Sequence, residues 1–531
     1  MTATVAQANT ASRRDAEWWL AVLATIAVLA LHLFFLNRIG GLWRDEVNSV
    51  SIAQGQLSQL TEDSFPVLFP LLLRGWSALG LGGSDLAVRC FGVLLGLCLT
   101  AAFWLAAWWT RRAPPLWSLV LVALNAWVIY YAASLRAYGL GSAMIALCAA
   151  AGWHFVQHPG KKSWLIFAAA AVLSVQSLYQ NSVLVAAVCA GAGAVALRRK
   201  QFKLTSFIFF AGLTAAISLL PYWHDFAGMS QGAAPLRVDF DRYTAFNNLD
   251  TLLAYPLPQF FWVWTGLAGF VLLRAVIGFF SARGDDRSLF AAVTLILGTA
   301  GFWAFLRLAS FPVQPWYFLP PVTLSAVCLE AALPRPAGRF RALLWGSLAA
   351  TAAISALCAG PVLDYRFTNI DRLAEKVAAA AGEKDYVVVT PWQVGITFSR
   401  YFKSPCAWTT VPPISDHSRH RFDLLQLQMQ TTTAMQPVLK RVAASLRNGG
   451  TVWVLGGINQ PDGSRMPPSL PPPPLPASGW NETPYRFTWN DQLGWWLHHR
   501  STNIAVLDAG RDPDVNIENV PLAKVTGWKN P

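Results

Sequence analysis

The chain has 531 residues, 54% of them hydrophobic and only 13% charged. A soluble globular protein carries roughly a quarter charged residues, so composition excludes an ordinary soluble enzyme. The formal charge of +13 would suit a nucleic-acid ligand, but the placement of that charge along the chain argues for a membrane topology instead.

In chain order, Arg13-Arg14 precede an apolar run from Trp18 to Leu36. No small-residue cleavage site follows it, so the run reads as a retained first helix rather than a signal peptide. Eleven spans of roughly 20 residues are expected near 18–36, 87–108, 115–132, 139–157, 164–178, 181–197, 204–222, 258–280, 288–308, 315–332 and 342–361. Alternate connections are basic: Arg13-Arg14, Arg111-Arg112, Lys161-Lys162, Arg198-Arg199-Lys200 with Lys203, Arg283 with Arg287, and Arg335 with Arg339 and Arg341. All fall on one side of an eleven-span arrangement, which the positive-inside rule makes cytoplasmic. A cytoplasmic N-terminus (1–17) then leads into a transmembrane domain (18–361). The other side receives the outer loops 37–86 and 223–257, a short turn at 309–314, and a soluble domain at 362–531. The expected localisation is the bacterial inner membrane, multi-pass, with the C-terminal domain periplasmic. Membrane lipids are partners by the same reading, and nucleic acid is not.

Within the soluble domain, residues 368–381 carry the spacing of an amphipathic helix and DYVVVT (385–390) that of a buried strand. The helix MQPVLKRVAASLR stops at Asn448-Gly449-Gly450, and the strand TVWVLGG follows. Helix then strand, twice, predicts a small α/β sheet. Six of the seven cysteines lie in or beside apolar spans, Cys406 stands alone, and no CxxC or Cys/His metal spacing is present. His224 with Asp225 is too few ligands for a metal centre. No metal or other cofactor is assigned, and divalent-metal dependence stays open.

The stretch GLWRDEVNSVSIAQGQ (41–56) follows the first span. Val47, Val50, Ala53, Leu57 and Leu60 form one apolar stripe, which predicts a helix lying at the membrane interface. Asp45 and Glu46 begin it. Acidic residues in a first turn face the free N–H groups and the positive dipole end, so capping is one reading. Catalysis is the other. Only 14 of the 28 acids precede the soluble domain, and none lies between Asp85 and Asp225. Two adjacent carboxylates at the membrane edge invite a raised pKa on one of them, which suits a general base.

These residues resemble the GT-C superfamily of membrane glycosyltransferases, in particular bacterial relatives of protein O-mannosyltransferases and of the lipid A aminoarabinose transferase. RDEVNSVSIAQ (44–54) is similar to the family's R-x-D-E helix. DSFPVLFPLLLRGWSALGLGGSDLAVRCFGVLLG (63–96) resembles its H/K-P-P-L-Y segment followed by S-E-x-A-x-R. SLRAYGL (134–140) is similar to E-A-R-x-Y, and QPWYFLPPV (314–322) to P-R-Y-L-L-P. The chain departs from the pattern at Ser64, Ser134 and Trp316, where the family carries a His or Lys, an acid and an Arg.

The resemblance implies a polytopic α-helical GT-C-like fold with a C-terminal extracytoplasmic α/β domain. It implies an inverting hexosyl- or pentosyltransferase that moves a sugar from a polyprenyl-phosphate carrier to a glycan, lipid or protein hydroxyl. Asp45 would be the general base and Glu46 its support. Sidedness selects Arg136, Tyr138, Tyr317, Arg89 and Arg242 as candidates for the lipid phosphate or sugar, since guanidinium suits phosphate. Arg237, Asp239 and Asp241 lie in the same outer loop as Arg242. The competing readings are a secondary transporter and a non-catalytic envelope assembly protein.

Overall fold

The computed structural model describes residues 2–223, 239–280, 285–334, 339–461, 463–473 and 481–530. The candidates His224, Asp225 and Arg237 therefore lie outside the described residues, as do Arg283 and Arg335. The chain divides into two compact units. One holds the described residues of Met1–Asn37, Leu60–Trp223 and Val238–Leu363; the other holds those of Arg38–Gln59 and Asp364–Pro531.

The first unit is helical. Among the described residues, eight helices are long and apolar enough to cross a membrane, from Ala16–Leu36 to Phe340–Leu357. They coincide with eight of the eleven expected spans. The other three regions are also helical but shorter. Lys161–Ser177 has 17 residues. The region 115–132 is split, because Leu119–Ala123 forms a π turn and Asn125 then caps a new helix, Ala126–Ala132, by accepting from Trp127 N and Val128 N. Leu319–Ala332 has 14 residues, because Pro320 and Pro321 lack N–H groups and must sit in a first turn. Burial sorts the spans: Tyr138–Gln157 is 83% covered by protein, whereas Phe260–Gly278 and Phe340–Leu357 are 11% covered. The apolar surface of the latter two faces lipid.

The second unit is built on seven strands: β1 Arg366–Thr368, β2 Tyr386–Val389, β3 Ala407–Thr410, β4 Val452–Leu455, β5 Ser501–Asp508, β6 Val515–Glu518 and β7 Leu522–Trp528. β1 and β6 pair in parallel, and the main sheet runs β3-β2-β4-β7-β5. β3, β2 and β4 are parallel, with Val387 opposite Trp408 and Trp453. β7 and β5 are antiparallel. Every residue of β2 and β4 is buried because both faces are covered. Val388, Val452 and Val454 pack with Leu425, Val442 and Leu493 on one side. Val387, Val389 and Leu455 pack with Leu373, Val377 and Phe398 on the other. Gly449 ends the helix Gln436–Arg447 at φ +74, a conformation that glycine adopts without strain.

Helix α1 (Thr2–Leu36) belongs to the first unit and helix α2 (Arg44–Gln54) to the second. α2 packs on the helix Val394–Tyr401. Of the predicted apolar stripe, Val47, Val50 and Ala53 lie on α2 and are buried, whereas Leu57 and Leu60 fall beyond its end in a 3-10 turn, where Leu57 is exposed. Protein covers the α2 part of this stripe, where the spacing alone predicts a membrane interface.

Candidate functional site

Six consecutive positions tie the start of α2 to the strands and helices of its own unit. Gly40 adopts φ +70 beside the Arg366 guanidinium, which a Cβ would overlap. Gly41 N donates to Asp371 Oδ2 at 3.2 Å, and Leu42 N donates to the Tyr401 hydroxyl at 2.5 Å. The Trp43 ring stacks on Phe367 at 6.0 Å. Arg44 donates to Glu518 Oε1 from both its backbone N and Nη1, each at 3.3 Å. Asp45 Oδ1 accepts from His420 Nε2 at 3.1 Å.

The two acids of the pair have different surroundings. Glu46 is fully buried and accepts the Trp43 N–H at 3.3 Å, which caps the helix. Asp45, at the second helical position, keeps 23% of its side chain exposed. It faces His420 Nε2 on one side and Arg44 Nε at 3.7 Å on another. Capping and a candidate catalytic carboxylate are thus divided between neighbouring residues.

His420 is itself held in place. Its backbone N–H donates to Asn48 Oδ1 at 3.0 Å, one turn along α2 from Asp45. Its ring stacks on Phe422 at 5.6 Å and meets the edge of Trp392 at 6.1 Å. Trp392 Nε1 in turn donates to the buried Glu482 at 3.2 Å, and Gln393 donates to the same carboxylate at 2.9 Å. For Nε2 to bond a carboxylate it must carry a proton. His420 Nδ1 is buried and has no hydrogen-bond partner among the described residues.

Glu518 anchors Arg44 from below. Burial pushes its carboxyl above the usual carboxylate range, and Arg44, Thr397 and Thr368 pull the other way. The pKa of His417 in the same loop is lowered to about 4, chiefly by burial, with Asp416 and a backbone hydrogen bond opposing. Sequence reading missed His420, Glu518 and the anchoring role of Arg44. The visible signal was SDHSRHR (415–421), two histidines and five other polar or charged groups in a loop that follows two prolines.

The first unit gathers a second set of candidates. Arg136 is buried, with Nη1 3.7 Å from Asp63, Nη2 donating to Ser64 Oγ at 3.0 Å, and its guanidinium 4.3 Å over the Phe65 ring. Tyr138 packs against Phe65 at 5.4 Å, Trp316 at 6.2 Å and Tyr317 at 6.0 Å. The three departures from the family pattern find local roles. Ser64 accepts from Arg136, Trp316 joins the aromatic cluster, and Ser134 Oγ donates to the Tyr131 carbonyl at 2.6 Å. Asp63 supplies the acid that the resemblance expects at Ser134. Arg89 is buried near the start of the helix Asp85–Arg111. Arg242 is exposed and lies over its neighbour Tyr243, and Asp241 is the N-cap of that helix. Among the described residues, no group of three or more His, Cys, Asp or Glu is placed to hold a metal.

No family model and no curated protein matches the chain. Solved structures do, among them two of one protein. ArnT from Cupriavidus metallidurans bound to undecaprenyl phosphate is 11% identical, with a TM-score of 0.50, covering 82% of this chain and 92% of that one. The same protein in the apo state is 13% identical, with the same TM-score and coverage. At such identities the likeness concerns the fold: the chain is a polytopic helical membrane protein with a fold like that of ArnT and a C-terminal unit built on a sheet.

Proposed function

We propose that the protein is an inverting glycosyltransferase that moves a sugar from a polyprenyl-phosphate carrier to an acceptor hydroxyl. The observation that carries this reading is Asp45, a partly exposed carboxylate at a helix start, oriented by a histidine and flanked by an arginine. The fold supports it, since one of the two similar structures was solved with undecaprenyl phosphate bound.

In this mechanism Asp45 takes the acceptor's O–H proton as the oxygen attacks the anomeric carbon. The bond from that carbon to the phosphate oxygen breaks on the opposite face, which inverts the centre. The carrier leaves as a phosphate monoester, and Asp45 passes its proton to solvent. His420 holds Asp45 in one rotamer through Nε2–H. Glu46 acts on the helix rather than on substrate, by capping the turn from which Asp45 projects. Developing charge on the leaving phosphate calls for cations and hydroxyls, and Arg136, Tyr138, Tyr317, Arg89 and Arg242 are the assigned candidates. The basic connections place this chemistry on the periplasmic side of the inner membrane, together with the C-terminal unit.

The test is transfer from a polyprenyl-phosphate sugar by purified Asp45→Asn. Loss of transfer in a folded, inserted protein is expected, and wild-type turnover would overturn the assignment.

One observation favours a non-catalytic assembly role instead. Arg136, the cation that the family pattern directs at the donor, is already matched by Asp63. Under that reading an Asp45→Asn copy complements every defect of a gene deletion.

A further inference from the structure

A second polar site lies in the first unit, at the helix ends that the basic connections mark. There, a cavity of about 280 Å³ is lined by Arg111, Arg274, Asp285, Arg287 and the chain from Ala331 to Pro334. The helix Asp85–Arg111 ends at it, Leu319–Ala332 ends at it, and Asp286–Ala309 begins beside it.

The charges around it do not balance. Arg111 is 9% exposed and pairs with the buried Glu330 at 2.8 Å, and its Nε has no partner among the described residues. Arg274 divides its guanidinium between Asp285 Oδ2 and the Ala332 carbonyl, each at 3.0 Å. Arg287 has no acidic partner among the described residues. Next to Asp285, Asp286 is shared by Arg198 and Arg199. Three guanidiniums thus line the cavity, with Asp285 in its wall and Glu330 paired to Arg111. A cluster of like charges lining one cavity sets up a positive local field that attracts an anion. Guanidinium forks match phosphate oxygens in pairs, and the cavity falls just below the roughly 300–1,000 Å³ of sites for larger ligands.

We propose that this cavity binds a phosphate group, carried either by an anionic phospholipid of the cytoplasmic leaflet or by a small soluble phosphate compound. Basic pockets between membrane helices on that side take lipid phosphates. The site is independent of the chemistry assigned to Asp45, and none of its residues is part of that machinery.

The experiment uses the full chain in nanodiscs of phosphatidylglycerol and phosphatidylcholine, read by native mass spectrometry of retained lipid. Inorganic phosphate added to detergent-purified protein and read by melting temperature forms the second arm. Arg287→Gln, at an exposed position, is the main variant, and Arg274→Gln is the second. A lipid ligand appears as one retained phosphatidylglycerol on the wild type, weakened about tenfold in each variant, as expected for loss of a charge-assisted hydrogen bond. A soluble ligand appears as no retained lipid but a phosphate-induced rise in melting temperature that Arg287→Gln abolishes. Equal behaviour of wild type and Arg287→Gln in both arms overturns the site.

Discussion

The surroundings of Asp45 and of Arg136 differ in kind. Asp45 stands at the start of a helix in the sheet-bearing unit, with part of its side chain open to solvent and a histidine fixing one oxygen. Arg136 lies in the helical unit and is buried, with Asp63, Ser64 and the Phe65 ring around its guanidinium. An open charge held by a neutral or cationic neighbour is ready to exchange a proton. A buried charge neutralised by its partner resists change and fixes the chain around it. The same kind of motif evidence selected both residues, yet their environments suit one to the proposed chemistry and the other first to architecture.

Substitution at each site separates those roles. The largest effect is expected from Asp45→Asn, a fall in transfer of about 10²–10⁴-fold with an unchanged melting temperature. Arg136→Ala should lower stability as well as transfer. It removes the cation beside Asp63, which has no exposed side-chain surface and keeps its hydrogen bonds from Ser64, and should cost up to roughly 3–5 kcal/mol of stability. Thermal denaturation in detergent checks this, and a stable but inactive Arg136→Ala would move Arg136 into the chemistry. His420→Gln should lower turnover about tenfold, as expected for losing a hydrogen bond to a charged group. It should also shift the pH-rate profile, which a purely structural role would leave in place. Glu46→Ala should destabilise α2 by about 1 kcal/mol, whereas Glu46→Gln, which can still accept the Trp43 N–H, should cost less.

The smallest effect concerns His417. Its folded pKa of about 4 lies below the ordinary 6.5, so the unfolded chain binds the proton first. Stability from this residue is complete above pH 6.5 and declines as pH falls toward 4. His417→Phe should flatten that part of a stability-versus-pH curve, as measured by thermal denaturation.

Much of this was legible in the sequence because local patterns fix it. Apolar run length located the eight long spans, and β2 and β4 were visible as short apolar runs after amphipathic helices. The prolines at 320 and 321 and Asn125 shortened or split helices for reasons that the composition of a window averages away. The carboxylate pair stood out, but its division of labour did not. Glu46 caps because it lies three residues after Trp43, a spacing that sequence does show. Asp45 meets His420 only through the fold, across a separation of 375 residues. The apolar stripe of α2 carried no mark to distinguish a lipid surface from the helix Val394–Tyr401.

The anchoring of α2 also has a consequence in time. The Arg44–Glu518 contact joins residues 474 positions apart. At about 5–20 residues per second, the ribosome delivers Glu518 roughly 25–95 seconds after Arg44. Until then neither Glu518 nor the finished β1–β6 pair exists to receive the start of α2. The anchors of the proposed base are therefore complete only once Glu518 has been made, long after residues 44–54 have left the ribosome.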